Sequence, residues 1–184
     1  MRALLRNRDA AWYLSGQALS RFGDSALWLA AGVWVKTLTG SSSAAGLLFF
    51  VFALPQLGAP LGGLLADRVR RRRLLIATNL GAAAMLPLLL AVHGRAQVWL
   101  VYLVMALYGA AGSVLNAAGS ALLATILPAE QLAAGNSALH TIREGLRLVA
   151  PLTGAALYAW QGPRVVALLD AGTFVAAALS LAVL

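Results

Sequence analysis

Apolar positions along the chain gather into six long runs, at about 11–35, 43–65, 74–92, 97–119, 134–160 and 164–184, with short polar punctuation between them. Each run is close to or above the roughly 20 residues that an α-helix needs to cross about 30 Å of hydrocarbon. A helix also satisfies its own backbone hydrogen bonds, which lipid cannot do. The breaks are Thr39-Gly40-Ser41-Ser42-Ser43, the basic run from Asp67 to Arg73, His93-Gly94-Arg95, Pro128-Ala129-Glu130-Gln131 and Gln161-Gly162-Pro163. None is long enough to hold a soluble domain. The stretch 120–133 is apolar yet ends in a proline turn, and it reads as an extension of the fourth helix lying near the surface. The pattern predicts an all-α integral membrane protein, with six transmembrane helices forming one bundle over residues 1–184.

Composition supports that reading. Of 184 residues, 61% are hydrophobic and only 11% are charged, against roughly 45–50% and 25% in soluble domains. The net charge of +8 would suggest nucleic acid in a soluble chain; in a membrane chain it is read first as topology, and no nucleic-acid partner is expected. Arg2, Arg6 and Arg8 precede the first run and Arg68, Arg70, Arg71, Arg72 and Arg73 follow the second. Lys36, Arg95 and Arg164 stand singly in the other connections. The imbalance predicts that both ends and the second connection are cytoplasmic. Trp12, Trp99 and Trp160 lie near run ends, as an interfacial belt requires, and Asp9 argues against a cleaved signal peptide. The chain has no cysteine and two histidines, His93 and His140, so no metal site and no cofactor are expected.

Several ionisable residues fall inside the runs, where they are costly and mark a pathway or a structural pair. In the first run Gln17, Arg21, Asp24 and Trp28 share one helical stripe, and Arg21 and Asp24, three apart, could neutralise each other. In the fifth, Asn136, His140, Arg143, Arg147, Pro151, Gly154 and Tyr158 recur at steps of three and four, with Glu144 positioned to offset the arginines. Arg147 lies deep in the run and needs protein, water or a carboxylate beside it, with Asp170 or Asp24 as candidates. Small residues at Gly58, Gly62, Gly109, Gly112, Asn116, Gly119 and Gly154 allow close helix packing. Pro55, Pro60, Pro87 and Pro151 are positioned to bend their helices.

The connection Gly63-Leu64-Leu65-Ala66-Asp67-Arg68-Val69-Arg70-Arg71-Arg72-Arg73 is, physically, a tight hairpin whose positive charge fixes topology and in which Asp67 can pair with an arginine one turn away. Its whole pattern resembles the signature loop between the second and third spans of the major facilitator superfamily, departing where Arg70 replaces a glycine. Further likeness runs through Asn7-Arg8-Asp9, Leu14-Ser15-Gly16-Gln17, Gly23-Asp24, Leu38-Thr39-Gly40-Ser41, Leu127 to Leu132, Asn136, Thr141-Ile142-Arg143, Arg147, Pro151, Gly154, Leu169-Asp170-Ala171 and Phe174. These are similar to the macrolide and drug efflux and enterobactin exporter branch. Ala117 and Gly119 depart from that branch, standing where a proline and an arginine are expected.

The resemblance implies a secondary transporter of two six-helix bundles, of which this chain is the amino-terminal half of a twelve-span fold. Substrate would sit between the bundles and gain access alternately by rocking. Gly63, Asp67, Arg68, Arg71 and Arg72 would form a cytoplasmic gating loop, with Asp67 and Arg71 in a latch against the second bundle. Arg21, Asp24, Asn136, Arg143, Arg147 and Asp170 are the substrate or coupling candidates, with Asp24 the first choice for a coupling proton. The expected function is proton-coupled efflux of a small molecule or drug from a bacterial cell, through its inner membrane. The alternatives are import of a small metabolite or an inactive fragment. A more remote one is an intramembrane serine protease built on Ser120 and His140, which lacks a glycine-flanked catalytic turn. The partners implied are the small-molecule substrate, the lipid bilayer, and a missing carboxy-terminal six-span half or a second copy of the chain.

Overall fold

Local chemistry at the breaks sets where each helix starts and stops. The computed structural model describes residues 7–58 and 68–184, so Gly63 and Asp67 of the expected gating loop, together with Pro60 and Gly62, lie outside the described residues. Helix α1 spans Arg8–Thr39, with the Asn7 carboxamide accepting the Asp9 and Ala10 N–H groups. It ends on Gly40, whose left-handed φ of 71° is the conformation in which a glycine closes a helix without strain. Ser41 then caps α2, Ser42–Ala53, through a bond from Ala44 N–H. Beyond α2 the chain tightens into a 3₁₀ turn at Leu54–Gly58, where Pro55 has no N–H to continue the α pattern.

Helix α3 is Arg71–Met85. The run expected over 74–92 is therefore only partly α-helical, because Leu86–Ala91 around Pro87 is 3₁₀. His93 and Gly94 turn the chain with both N–H groups on the Gln97 side-chain carbonyl. Helix α4 covers Val98–Ile126, so the extension expected over 120–133 reaches only Ile126, and residues 129–133 belong to the next helix. Pro128 then starts α5, Ala129–Gln161, several residues before the expected 134. Gly162 at φ 82° and Pro163 at the first helical position open α6, Pro163–Val183.

The described residues form six α-helices and three short 3₁₀ segments, with no strand among them. Among the described residues three stretches are, by length and composition, apolar enough to cross a membrane: Arg71–Ala91, Arg95–Ile126 and Pro163–Val183. Helices α1, with 32 residues, and α5, with 33, are each close to ~50 Å long at 1.5 Å per residue, but charges interrupt their apolar character.

Consecutive helices run in opposite directions, as two buried clusters show. One joins the end of α1 (Ala26 to Val35), Leu48 of α2, Leu86 and Leu89 after α3, the start of α4 (Val98 to Tyr108) and the start of α6 (Val166 to Phe174). The other joins the start of α1 (Ala10, Tyr13), Leu75 of α3, the end of α4 (Leu122, Leu123), Ala138 of α5 and Leu181 of α6. Arg8 and Arg68 to Arg73 thus share one end of the bundle, while Lys36, Arg95 and Arg164 share the other. Helix α1 is central, packed along α6 and α5. Two glycines permit that approach: a Cβ on Gly23 would stand 3.1 Å from Asp170 Cα, and one on Gly154 would stand 2.7 Å from Ala26 Cα. Small residues of this kind are what hold helices together where lipid competes for every apolar contact.

Candidate functional site

Helices α4 and α5 make little contact with each other, and a cleft of about 480 Å³ opens between them. Its walls are Arg21, Asp24, Ser25 and Trp28 of α1, Phe52 and Gln56 of the α2 segment, and Tyr108, Gly112, Leu115 and Asn116 of α4. Arg143, Arg147 and Pro151 of α5 and Phe174 of α6 complete it. The volume lies within the range of small-molecule sites, roughly 300–1,000 Å³. Pro151 lacks the N–H that would bond the Arg147 carbonyl, so the α5 wall carries a freed backbone acceptor as well as two guanidinium groups.

At the inner end of the cleft one phenol meets two carboxyl groups, Asp24 in the lining and Asp170 behind it. Tyr108 Oη stands 2.6 Å from Asp24 Oδ1 and 2.8 Å from Asp170 Oδ2. Asp24 faces the cleft, whereas Asp170 is 0% exposed. Thr173 donates its hydroxyl hydrogen to the Asp170 carbonyl at 2.7 Å, and its oxygen also lies 3.2 Å from Asp170 Oδ1. The Tyr108 ring is fixed by an edge-on contact to Phe174, centroids 5.6 Å apart, and a tilted one to Phe52 at 6.0 Å. Gly23 leaves the space in which Asp170 meets α1.

This arrangement corrects the ion pairs expected from sequence. Arg21 does not pair with Asp24; its guanidinium donates to the Asn116 side-chain carbonyl. Arg147 reaches neither Asp170 nor Asp24, and instead meets Glu144 on its own helix at 3.3 Å. A charge one turn away on the same helix is reached without reshaping the bundle, whereas the buried Asp170 is served by a neutral hydroxyl. The polar stripe of α5 also divides. Arg143, Arg147 and Pro151 line the cleft and Gly154 packs on Ala26, but Asn136 and His140 lie outside it on the exposed part of α5. His140 is 72% exposed, 3.7 Å from Glu144. Ser120 donates to the Asn116 carbonyl at 3.0 Å and shares no hydrogen bond with His140, so the pair a serine hydrolase would need is not formed. Among the described residues no group of three metal-ligating side chains occurs.

Two of the basic residues after the second run, Arg71 and Arg72, act as tethers at their end of the bundle. Arg71 donates to the Ala121 carbonyl at 3.0 Å and to the Thr125 hydroxyl at 3.3 Å. Arg72 donates to the Leu181 carbonyl at 2.7 Å and to the Ala182 carbonyl. Arg68 and Arg70 are exposed.

The sequence model of the Major Facilitator Superfamily matches residues 13–184. The chain belongs to the major facilitator superfamily. It is a multi-pass membrane protein of a family of secondary transporters that carry small molecules. No curated protein matches it.

Sequence reasoning missed Tyr108. Its signal was present, since Tyr108, Gly112, Asn116 and Gly119 recur at steps of four, four and three along α4. That stripe reads as small-residue packing until the aromatic hydroxyl at its head is included. Gln56 was missed as well, and it carries no comparable signal because it follows a proline in a 3₁₀ turn.

Proposed function

We propose that this facilitator chain is the amino-terminal six-span bundle of a proton-coupled transporter working by alternating access, with Asp24 as the residue that takes up and releases the coupling proton. The observation that carries the reading is the contact of Tyr108 with two carboxyl groups. A phenol has one proton to donate, and both oxygens lie within hydrogen-bond distance of it. If both aspartates were ionised, one contact would bring two lone pairs together in a dry interior. A second proton on the pair removes that conflict, so Asp24, Tyr108 and Asp170 are read as a unit that holds one proton and presents it to the cleft through Asp24. Ionisable groups at membrane depth mark such pathways.

All six helices are assigned as spans, α1 and α5 included, because their charges line the cleft, lie near their ends or, for Glu144, pair with Arg147 on the same helix. The basic end, with Arg8 and Arg68 to Arg73, is assigned to the cytoplasm of a bacterial cell, in line with the positive-inside bias. Asp67 with Arg71 is assigned to the cytoplasmic latch. The open side of the cleft is where a second six-span bundle, or a second copy of the chain, would complete the pathway. Efflux is the direction favoured by the branch that the sequence resembles, and import is the alternative.

The test is transport in liposomes containing the chain at a density that lets two copies pair, with ethidium, erythromycin and 2-naphthoate as probes and an imposed pH gradient. At least one probe should accumulate in a way that a protonophore and Asp24→Asn both abolish. Accumulation indifferent to the gradient, or to Asp24→Asn, would refute the coupling role. The direction in inverted vesicles then separates efflux from import.

A further inference from the structure

We infer that the cleft is built for an organic anion: a flat apolar body bearing one carboxylate or comparable acidic group. This names the substrate class of the transport site proposed above and rests on that reading. The charges in and around the cleft are unequally engaged. Asp24, the one carboxyl group lining it, has its Oδ1 on Tyr108, and Asp170 behind the wall meets the same hydroxyl. Glu144 sits outside the lining and is committed to Arg147. The cations are not matched in the same way. Among the described residues no carboxylate oxygen lies within 4.0 Å of Arg21 or Arg143, and Arg21 has a neutral amide as its partner.

A guanidinium offers five donors in a planar fork, so the Arg21 and Arg143 forks, on different helices but lining one cleft, keep most of theirs. Two like charges beside a low-dielectric wall repel each other, and a bound anion removes that cost while accepting from both. Arg147 adds a third fork whose tie to Glu144 is exposed. A cation entering the same cleft would meet three arginines against one lining carboxyl group, Asp24, whose Oδ1 is already on Tyr108. Trp28, Phe52 and Phe174 supply apolar, mostly aromatic walls close to the arginines, which fits a ring-sized body and disfavours a small inorganic ion.

The test uses three probes of one shape: 2-naphthoate, 2-naphthylmethanol and protonated 2-naphthylmethylamine. Affinity is measured calorimetrically on the whole chain in phosphatidylcholine nanodiscs, with and without phosphatidylglycerol. The anion should bind at least about tenfold tighter than the alcohol, as charge-assisted bonds to two guanidinium groups allow, and the amine should bind more weakly than the alcohol. Arg143→Gln should remove the preference for the anion, with an unfolding midpoint matching the parent's to show that the variant is folded; Arg147→Gln should reduce the preference less. Equal or tighter binding of the amine, an intact preference in Arg143→Gln, or no saturable binding at all would overturn the inference. So would loss of naphthoate binding in phosphatidylglycerol discs, which would assign the arginines to lipid headgroups. Anion-selective binding without gradient-driven transport would sink the transport reading alone. Transport with a preference for the amine would sink this inference alone.

Discussion

Replacing Tyr108 by phenylalanine isolates the phenol hydroxyl. The ring contacts to Phe174 and Phe52 survive, so no cavity forms and the helices need not move. What disappears is the group standing 2.6 Å from one carboxyl and 2.8 Å from the other. Asp170 is then left with Thr173, whose hydroxyl proton is already directed to the backbone at 2.7 Å. A buried polar group stripped of its partner costs about 1–3 kcal/mol, more when charged, whereas Asp24 can recover part of its loss from water in the cleft. Tyr108→Phe should therefore destabilise the bundle by about 1.5–3 kcal/mol.

The assay is reversible unfolding in mixed detergent micelles at neutral pH, with Asp24→Asn and Asp170→Asn as companions. An asparagine keeps the size of a protonated aspartate and can donate its amide hydrogen to the tyrosine oxygen, while the tyrosine donates to the remaining carboxylate. If the pair holds a proton, each single asparagine variant should cost clearly less than Tyr108→Phe, within about 1 kcal/mol of the parent. The reasoning fails if Tyr108→Phe lies within about 0.5 kcal/mol of the parent, the usual range for an uninvolved site. It fails equally if either asparagine variant is as damaging as the loss of the hydroxyl.

Gly154 and Gly112 give a matched pair, since a Cβ at Gly154 meets the Ala26 backbone while one at Gly112 meets nothing within 4 Å. Gly154→Val should cost about 1–3 kcal/mol, as overpacking does, and Gly112→Ala should cost little, so the same unfolding titration tests the α1–α5 contact; equal effects would refute it. The absence of cysteine makes topology directly readable. Asp9→Cys and Glu130→Cys should react with an impermeant maleimide only after cells are opened, and Ser42→Cys and Gln161→Cys in intact cells. Any site labelling with the opposite set would overturn the assignment of the basic end to the cytoplasm.

Helix boundaries were legible wherever a cap is local. Thr39-Gly40-Ser41 and Gln161-Gly162-Pro163 end one helix and start the next through residues within a turn of the break, and they do so here. The 3₁₀ stretch Leu86–Ala91 was not legible, because a proline in an apolar run is equally compatible with a kinked α-helix. The partners of the buried charges were the hardest to read. Sequence logic matches arginine with aspartate, but an ion pair must recover the desolvation of both members, and a neutral phenol satisfies Asp170 without burying a second charge. Arg147, close to solvent and one turn from Glu144, faces no such cost and takes the nearest carboxylate. The α5 stripe shows the remaining limit. Its period identified a polar face, but which part of that face is enclosed depends on the neighbours. Gly154 fixes α5 to α1 toward one end of the helix, and the scant contact between α4 and α5 leaves a gap toward the middle. Arg143 and Arg147 fall on that gap, whereas Asn136 and His140 lie past it. The cleft and its charge therefore follow from where α5 is held, and periodicity within α5 alone does not contain that information.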